Sequence, residues 1–160
     1  DYRICYDATV VIGEGPHDRL ADLNCFWAAS DPEHPDDFFA RSAWRGGAFA
    51  AYNSLDLFYV GYGGNDNTTT RFRKYHGKRF GAPADEVKPL LGEYTDAEHL
   101  LRPNRPLHIE ITVADKKTTF SADGEVLFSR ELAPGEGDGY FGLRLLANHT
   151  LIANFTVERL

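Results

Sequence analysis

Apolar and polar residues alternate with a period of two in short runs along this chain, and no segment sustains a 3.6-residue period over three helical turns. The first run, Tyr2 to Ile12, puts Tyr2, Ile4, Tyr6, Ala8 and Val10 on one face and Arg3, Cys5, Asp7 and Thr9 on the other, and it stops at Gly13-Glu14-Gly15-Pro16. Leu20 to Ala28 reads as a second strand, with Leu23, Cys25 and Trp27 toward a core and Asp22, Asn24 and Phe26 on the opposite side. The proline-punctuated stretch Asp31 to Asp37 then reads as a surface loop over one end of the fold, a place that often shapes a binding site. Phe49 to Asn53, Leu57 to Tyr62 and Thr68 to Tyr75 follow as strands, the last two joined in a hairpin by Gly63-Gly64-Asn65-Asp66-Asn67.

Residues 76–106 hold Pro83, Pro89, Pro103 and Pro106 and little alternation, so they read as a long excursion between strands with one helical turn near Asp85 to Leu91. Alternation resumes at Leu107 to Ala114, Thr118 to Ser121, Glu125 to Glu131, Tyr140 to Ala147 and Thr150 to Leu160. In the last of these Leu151, Ala153, Phe155 and Val157 are expected inward, closing the core. About ten short strands without crossover helices predict an all-β fold, a two-sheet antiparallel β-sandwich of the jelly-roll kind. No linker or repeat divides residues 1–160, a length that buries a continuous core as one domain.

Charge narrows the partners. A net charge of −7 repels phosphate backbones, which argues against nucleic acid, and no apolar run approaches a membrane span of roughly 20 residues. Cys5 and Cys25 fit either one disulfide or two small buried hydrophobes. Together with sequons at Asn67, Asn148 and Asn154 they point to a secreted or periplasmic protein.

The most unusual run is Thr68-Thr69-Thr70-Arg71-Phe72-Arg73-Lys74-Tyr75, whose alternation places Thr69, Arg71, Arg73 and Tyr75 on one face. Two arginines on a strand face either grip an anionic ligand bidentately or meet acidic partners on a neighbouring strand. Asp22, Asn24 and Phe26, with Tyr59, Tyr62 and Arg144 on other strands, are candidate ligand contacts or members of a buried polar network. The six histidines show no metal-ligand spacing, and no cofactor is expected. Asn65-Asp66-Asn67 offers oxygens to a structural calcium or simply makes a tight turn.

Taken together, Asp22 to Trp27, Tyr59 to Asn65, Thr68 to Arg73 and Ile152 to Val157 resemble concanavalin-A-like lectin/glucanase domains, and among them the YesU-type proteins linked to rhamnogalacturonan breakdown. The resemblance implies a jelly roll with a concave carbohydrate-facing sheet. Members of that fold carry an N-terminal strand or two ahead of the point where this chain begins, so it implies either missing upstream strands or a different closure. The paired-acid E-x-D-x-x-E strand of the retaining glucanases is absent.

Three activities follow as expectations. In a polysaccharide lyase, Arg71 and Arg73 would neutralise a uronate and Tyr75 or His76 would remove its C5 proton. In a non-catalytic binding module, Tyr59, Trp27 or Phe26 would stack on sugar while Asp22, Asn24 and Arg71 hold hydroxyls. In a hydrolase, Asp22 would work with a distant acid such as Asp7 or Glu110. All three take an acidic polysaccharide or oligosaccharide as partner.

Overall fold

The structure, a computed structural model, describes all residues from Asp1 to Leu160. Ten strands run β1 Tyr2–Val11, β2 Leu23–Ser30, β3 Asp56–Gly63, β4 Thr69–Tyr75, β5 Leu90–Tyr94, β6 Leu107–Ala114, β7 Lys117–Ala122, β8 Glu125–Glu131, β9 Tyr140–Arg144 and β10 His149–Arg159. They form two five-stranded sheets, one ordered β10-β1-β6-β7-β8 and the other β5-β4-β3-β2-β9, and every pairing is antiparallel. The fold is the all-β sandwich expected from the alternation.

The inner faces are those the alternation selects. Ile4, Tyr6, Ala8 and Val10 of β1 meet Leu23, Cys25 and Trp27 of β2 across the sandwich. Trp27 is fully buried, stacks on Phe58 and Phe72 at 5.7 and 5.8 Å, and its Nε1 donates to Thr118 Oγ1 at 2.9 Å on the opposite sheet. That hydrogen bond satisfies the indole polar group, so the largest core side chain is buried without leaving a donor unpaired. Trp27 is therefore structural and unavailable to stack on a ligand.

Several local expectations are corrected. Phe49–Ser54 is a short 3-10 helix rather than a strand, packed over the face of the second sheet. Within the proline-rich stretch, Leu90–Tyr94 forms β5 and pairs with β4, so that segment is not purely an excursion. The loop after β2 is anchored: Asp31 is buried and accepts hydrogen bonds from Arg41 at 2.6 and 2.9 Å and from Arg45 at 3.0 Å. Cys5 and Cys25 are unpaired thiols, since alternation sends Cys5 outward on β1 and Cys25 into the core.

In β10 the expected inward set holds only in part. Register shifts between Cys5 and Asp7, where β10 carries an extra residue and Asn154 adopts a left-handed φ of 51°. A bulge reverses side-chain parity, so Phe155 and Val157 stay inward with Ile152, while Leu151 and Ala153 turn out. β10 is also the end strand of its sheet, and Leu151, Phe155 and Val157 remain about half exposed. The three sequon asparagines all carry hydrogen bonds in the fold: Asn67 to Leu101, Asn148 to the Ala21 carbonyl and Asn154 to Asp7.

Candidate functional site

The outer face of the second sheet is assembled from strand register. One transverse row reads Arg144 (β9), Asn24 (β2), Gly61 (β3), Arg71 (β4) and Glu93 (β5), because each is the direct partner of the next. The adjacent row reads Gly142, Phe26, Tyr59 and Arg73, and the row beyond contains Leu57 and Tyr75. Period-two alternation keeps these residues on one side of the sheet while Cys25, Val60 and Phe72 face the core. Side chains separated by up to 120 positions in sequence thus share one surface.

A cavity of about 190 Å³ sits on this face. Its floor includes Asn24, Tyr59, Gly61 and Tyr75, and Arg71, Arg73 and Lys88 line its walls with Phe49 of the 3-10 helix. Gly61 keeps the floor low, since a Cβ there would lie 3.2 Å from Asn24 Oδ1 and 3.3 Å from the Tyr59 hydroxyl. Phe49 is held between two cations, with Lys88 Nζ 4.7 Å and the Arg144 guanidinium 4.6 Å from its ring centroid.

The electrostatics are asymmetric. Arg71 is matched by Glu93, Nε to Oε1 at 2.5 Å, which is the neighbouring-strand partner that alternation alone allowed. Arg73 donates to the Lys88 carbonyl at 2.8 Å, yet Arg73, Lys88 and Arg144 have no carboxylate within 4.0 Å. Asp22 is the one acid lining the cavity, and Arg19 neutralises it at 2.5 Å while also gripping Asp66 at 2.6 Å. That contact uses Asp66 within the turn Asn65-Asp66-Asn67, where all three residues take left-handed backbone, and no cluster of three or more His, Cys, Asp or Glu side chains fits a metal ion.

Three buried polar atoms on this face lack a hydrogen-bond partner: the Tyr75 hydroxyl, Asn24 Oδ1 and Arg144 Nε. Burial pushes the Tyr75 phenol up to about 12, even though Arg73 and Arg144 pull it down, so the group holds its proton at neutral pH. Burial moves Tyr59 upward still more strongly. Burial and the Arg73 charge push the Lys88 ammonium down. A tyrosine with a raised pKa donates a hydrogen bond well and removes protons poorly.

Of the candidates from the sequence, Arg71, Arg73, Tyr75, Asp22, Asn24, Tyr59 and Arg144 therefore share this face. Phe26 lies on it but beneath the surface, packed on Tyr52 at 6.1 Å and so close over Gly142 that a Cβ there would sit 2.3 Å from its ring. His76 is excluded. It follows the end of β4 and does not line the cavity, and burial, with the Lys74 charge next, pushes its imidazole down. Tyr62 faces the core, and Asp7 and Glu110 lie on the other sheet, where Asp7 accepts from His108 and Asn154, so neither acid can pair with Asp22.

A larger cavity of about 340 Å³ opens between the sheets near Tyr62 and Leu101, where Arg105 pairs with Asp123 at 3.0 Å and His99 with Asp96 at 2.7 Å. Lys88, Phe49 and Gly61 escaped the sequence reading. Lys88 lies in the stretch without alternation, and Phe49 was assigned to a strand. The available signal was charge: residues 71–88 hold six Lys or Arg against two acids in a chain of net charge −7.

Residues 1–155 match the family DUF6250, a domain of unknown function. The chain belongs to the DUF6250 family. No protein of curated function matches the sequence of this DUF6250 domain. Among solved structures it is similar to a Bacillus subtilis protein of unknown function with a galectin-like fold, at 16% identity and a TM-score of 0.69, covering 98% of this chain and 70% of that one. It is also similar to the carbohydrate binding module CBM66 from Bacillus subtilis, at 14% identity and a TM-score of 0.58, covering 99% of this chain and 75% of that one. At these identities the likeness establishes the lectin-like sandwich fold of the DUF6250 domain.

Proposed function

We propose that the cationic cavity on the second sheet binds the acidic sugar of a polysaccharide without cleaving it. The observation that carries this reading is the pairing of two cavity cations that have no carboxylate partner, Arg73 and Lys88, with a buried hydroxyl and amide oxygen that have no hydrogen-bond partner. Such groups are costly in isolation, and an anionic polyhydroxylated ligand answers all of them. A uronate carboxylate fits Arg73 and Lys88, which line the cavity, and ring hydroxyls fit Tyr75 and Asn24. That the similar CBM66 structure is a carbohydrate binding module supports the same reading.

Chemistry argues against catalysis at this site. Tyr75 retains its proton, His76 does not line the cavity, and the only acid in the cavity is tied to Arg19. A two-carboxylate hydrolysis has no second acid to use. Pectic polymers, rhamnogalacturonan among them, are the acidic glycans that the sequence resemblance favours, and such ligands place the protein outside the cytoplasm.

The test is titration calorimetry against polygalacturonate, rhamnogalacturonan and neutral dextran, with unsaturated-uronate absorbance and reducing ends followed in parallel. Saturable binding to the acidic polymers without product is expected, weakened about tenfold or more in Arg73→Ala through loss of a charged hydrogen bond. Equal binding of dextran, an unaffected Arg73→Ala variant, or product release would overturn the reading.

A further inference from the structure

The cavity alone holds about one sugar ring, being smaller than the usual 300–1,000 Å³ of a drug-sized site. Beyond it the surface is aromatic. Six aromatic side chains are prominently exposed, and five of them, Phe39, Trp44, Phe49, Phe80 and Tyr140, come from the segments that cap this end of the second sheet or from the start of its edge strand. Exposed apolar area gathered in one place marks a binding surface rather than chance.

Trp44 has 55% of its surface in solvent, second among these rings to Phe39. It stands on the helical turn Ser42–Arg45, which packs on the 3-10 helix that supplies Phe49 to the cavity wall. Phe80 meets it edge to face at 5.7 Å and follows the turn Gly77–Arg79, which packs on the same 3-10 helix. The indole is propped by Arg41, 5.4 Å from its centroid, and Arg41 is itself fixed to buried Asp31. A ring held by a buried ion pair loses little conformational freedom when a ligand lies on it. Lys78 adds to this rim a cation with no carboxylate within 4.0 Å, whereas Arg79 is paired with Glu86 at 2.6 Å.

We infer that Trp44 and Phe80 form a second glycan subsite, over which the sugar chain continues after its acidic residue enters the cavity, so that the ligand is a polymer held along its length. This inference rests on the carbohydrate-binding reading of the cavity and adds the rim to it. The apolar faces of sugar rings pack on aromatic side chains, and the cationic border suits a chain bearing repeated carboxylates.

Galacturonic acid and its hexamer are titrated into the wild-type chain, Trp44→Ala, Phe80→Ala and Arg73→Ala. In the wild type the hexamer is expected to bind about fivefold to tenfold more tightly than the monomer, and Trp44→Ala and Phe80→Ala to erase that gain while leaving monomer affinity unchanged. Arg73→Ala weakens both ligands, which separates the two sites. Because Trp27 is fully buried, the hexamer's effect on tryptophan emission and acrylamide quenching reports Trp44, and the monomer is expected to leave both unaltered. Equal affinity of monomer and hexamer, or a Trp44→Ala variant that retains the full gain, overturns the subsite and spares the cavity. Failure of the wild type to bind either probe overturns both.

Discussion

Tyr75→Phe separates a ligand contact from a structural one by the sign of two effects. Tyr75 is 1% exposed, and its ring packs with Tyr59 at 5.5 Å in the small cluster that includes Leu55 and Leu57. Its hydroxyl, however, has no partner in the protein. Phenylalanine preserves the packing and removes a desolvated polar group, which relieves about 1–3 kcal/mol in the free protein. For a domain of this size each kcal/mol moves Tm by roughly 2–4 °C, so the variant is expected to melt at least about 2 °C higher. Affinity moves the other way. A hydrogen bond to a sugar hydroxyl is lost, about 0.5–1.5 kcal/mol, or roughly threefold to tenfold in Kd. Thermal unfolding and titration calorimetry with polygalacturonate on the same preparations measure both. A variant that is less stable, or that binds as tightly as wild type, would refute the assignment of this hydroxyl to ligand.

Three further outcomes follow from particular contacts. Gly61→Ala introduces a Cβ 3.1–3.3 Å from Tyr59 and Asn24, raises the cavity floor, and is expected to weaken polygalacturonate binding on the order of tenfold with the fold retained by circular dichroism. Lys74 is buried against Asp56 and lies 3.6 Å from Glu136 and 4.7 Å from the Phe58 ring centroid, so Lys74→Ala removes the partner of Asp56 while Glu136 keeps Arg130 and the Ala133 amide, and it is expected to cost about 1–3 kcal/mol, a Tm fall of roughly 2–12 °C by calorimetry. Burial opposes ionisation of Asp31, but hydrogen bonds from Arg41, the Glu33 amide and Arg45 outweigh it and hold its carboxyl below the usual range. A depressed carboxylate stabilises the folded state fully above its unfolded value of about 4 and loses that contribution as pH falls through the lower folded value. The capping loop is therefore expected to keep its amide-exchange protection at pH 5 and above and to lose it below about pH 4, and Asp31→Asn to remove that transition.

Period-two alternation was enough to read the sandwich and which faces of β1, β2 and β4 look inward, because a buried sheet face admits few charges and the pleat has a fixed period. It placed Arg71, Arg73 and Tyr75 together, and Asn24 apart from Cys25, for the same reason. It failed where backbone geometry breaks the period. The bulge at Asn154 reversed Leu151 and Ala153, and a 3-10 helix took Phe49. Only tertiary structure decided that Arg71 is matched by Glu93 while Arg73, Lys88 and Arg144 are unmatched, and that Trp44 meets Phe80. Those facts depend on which strands become neighbours and how loops fold over them, contacts between residues far apart in the chain that no local pattern encodes.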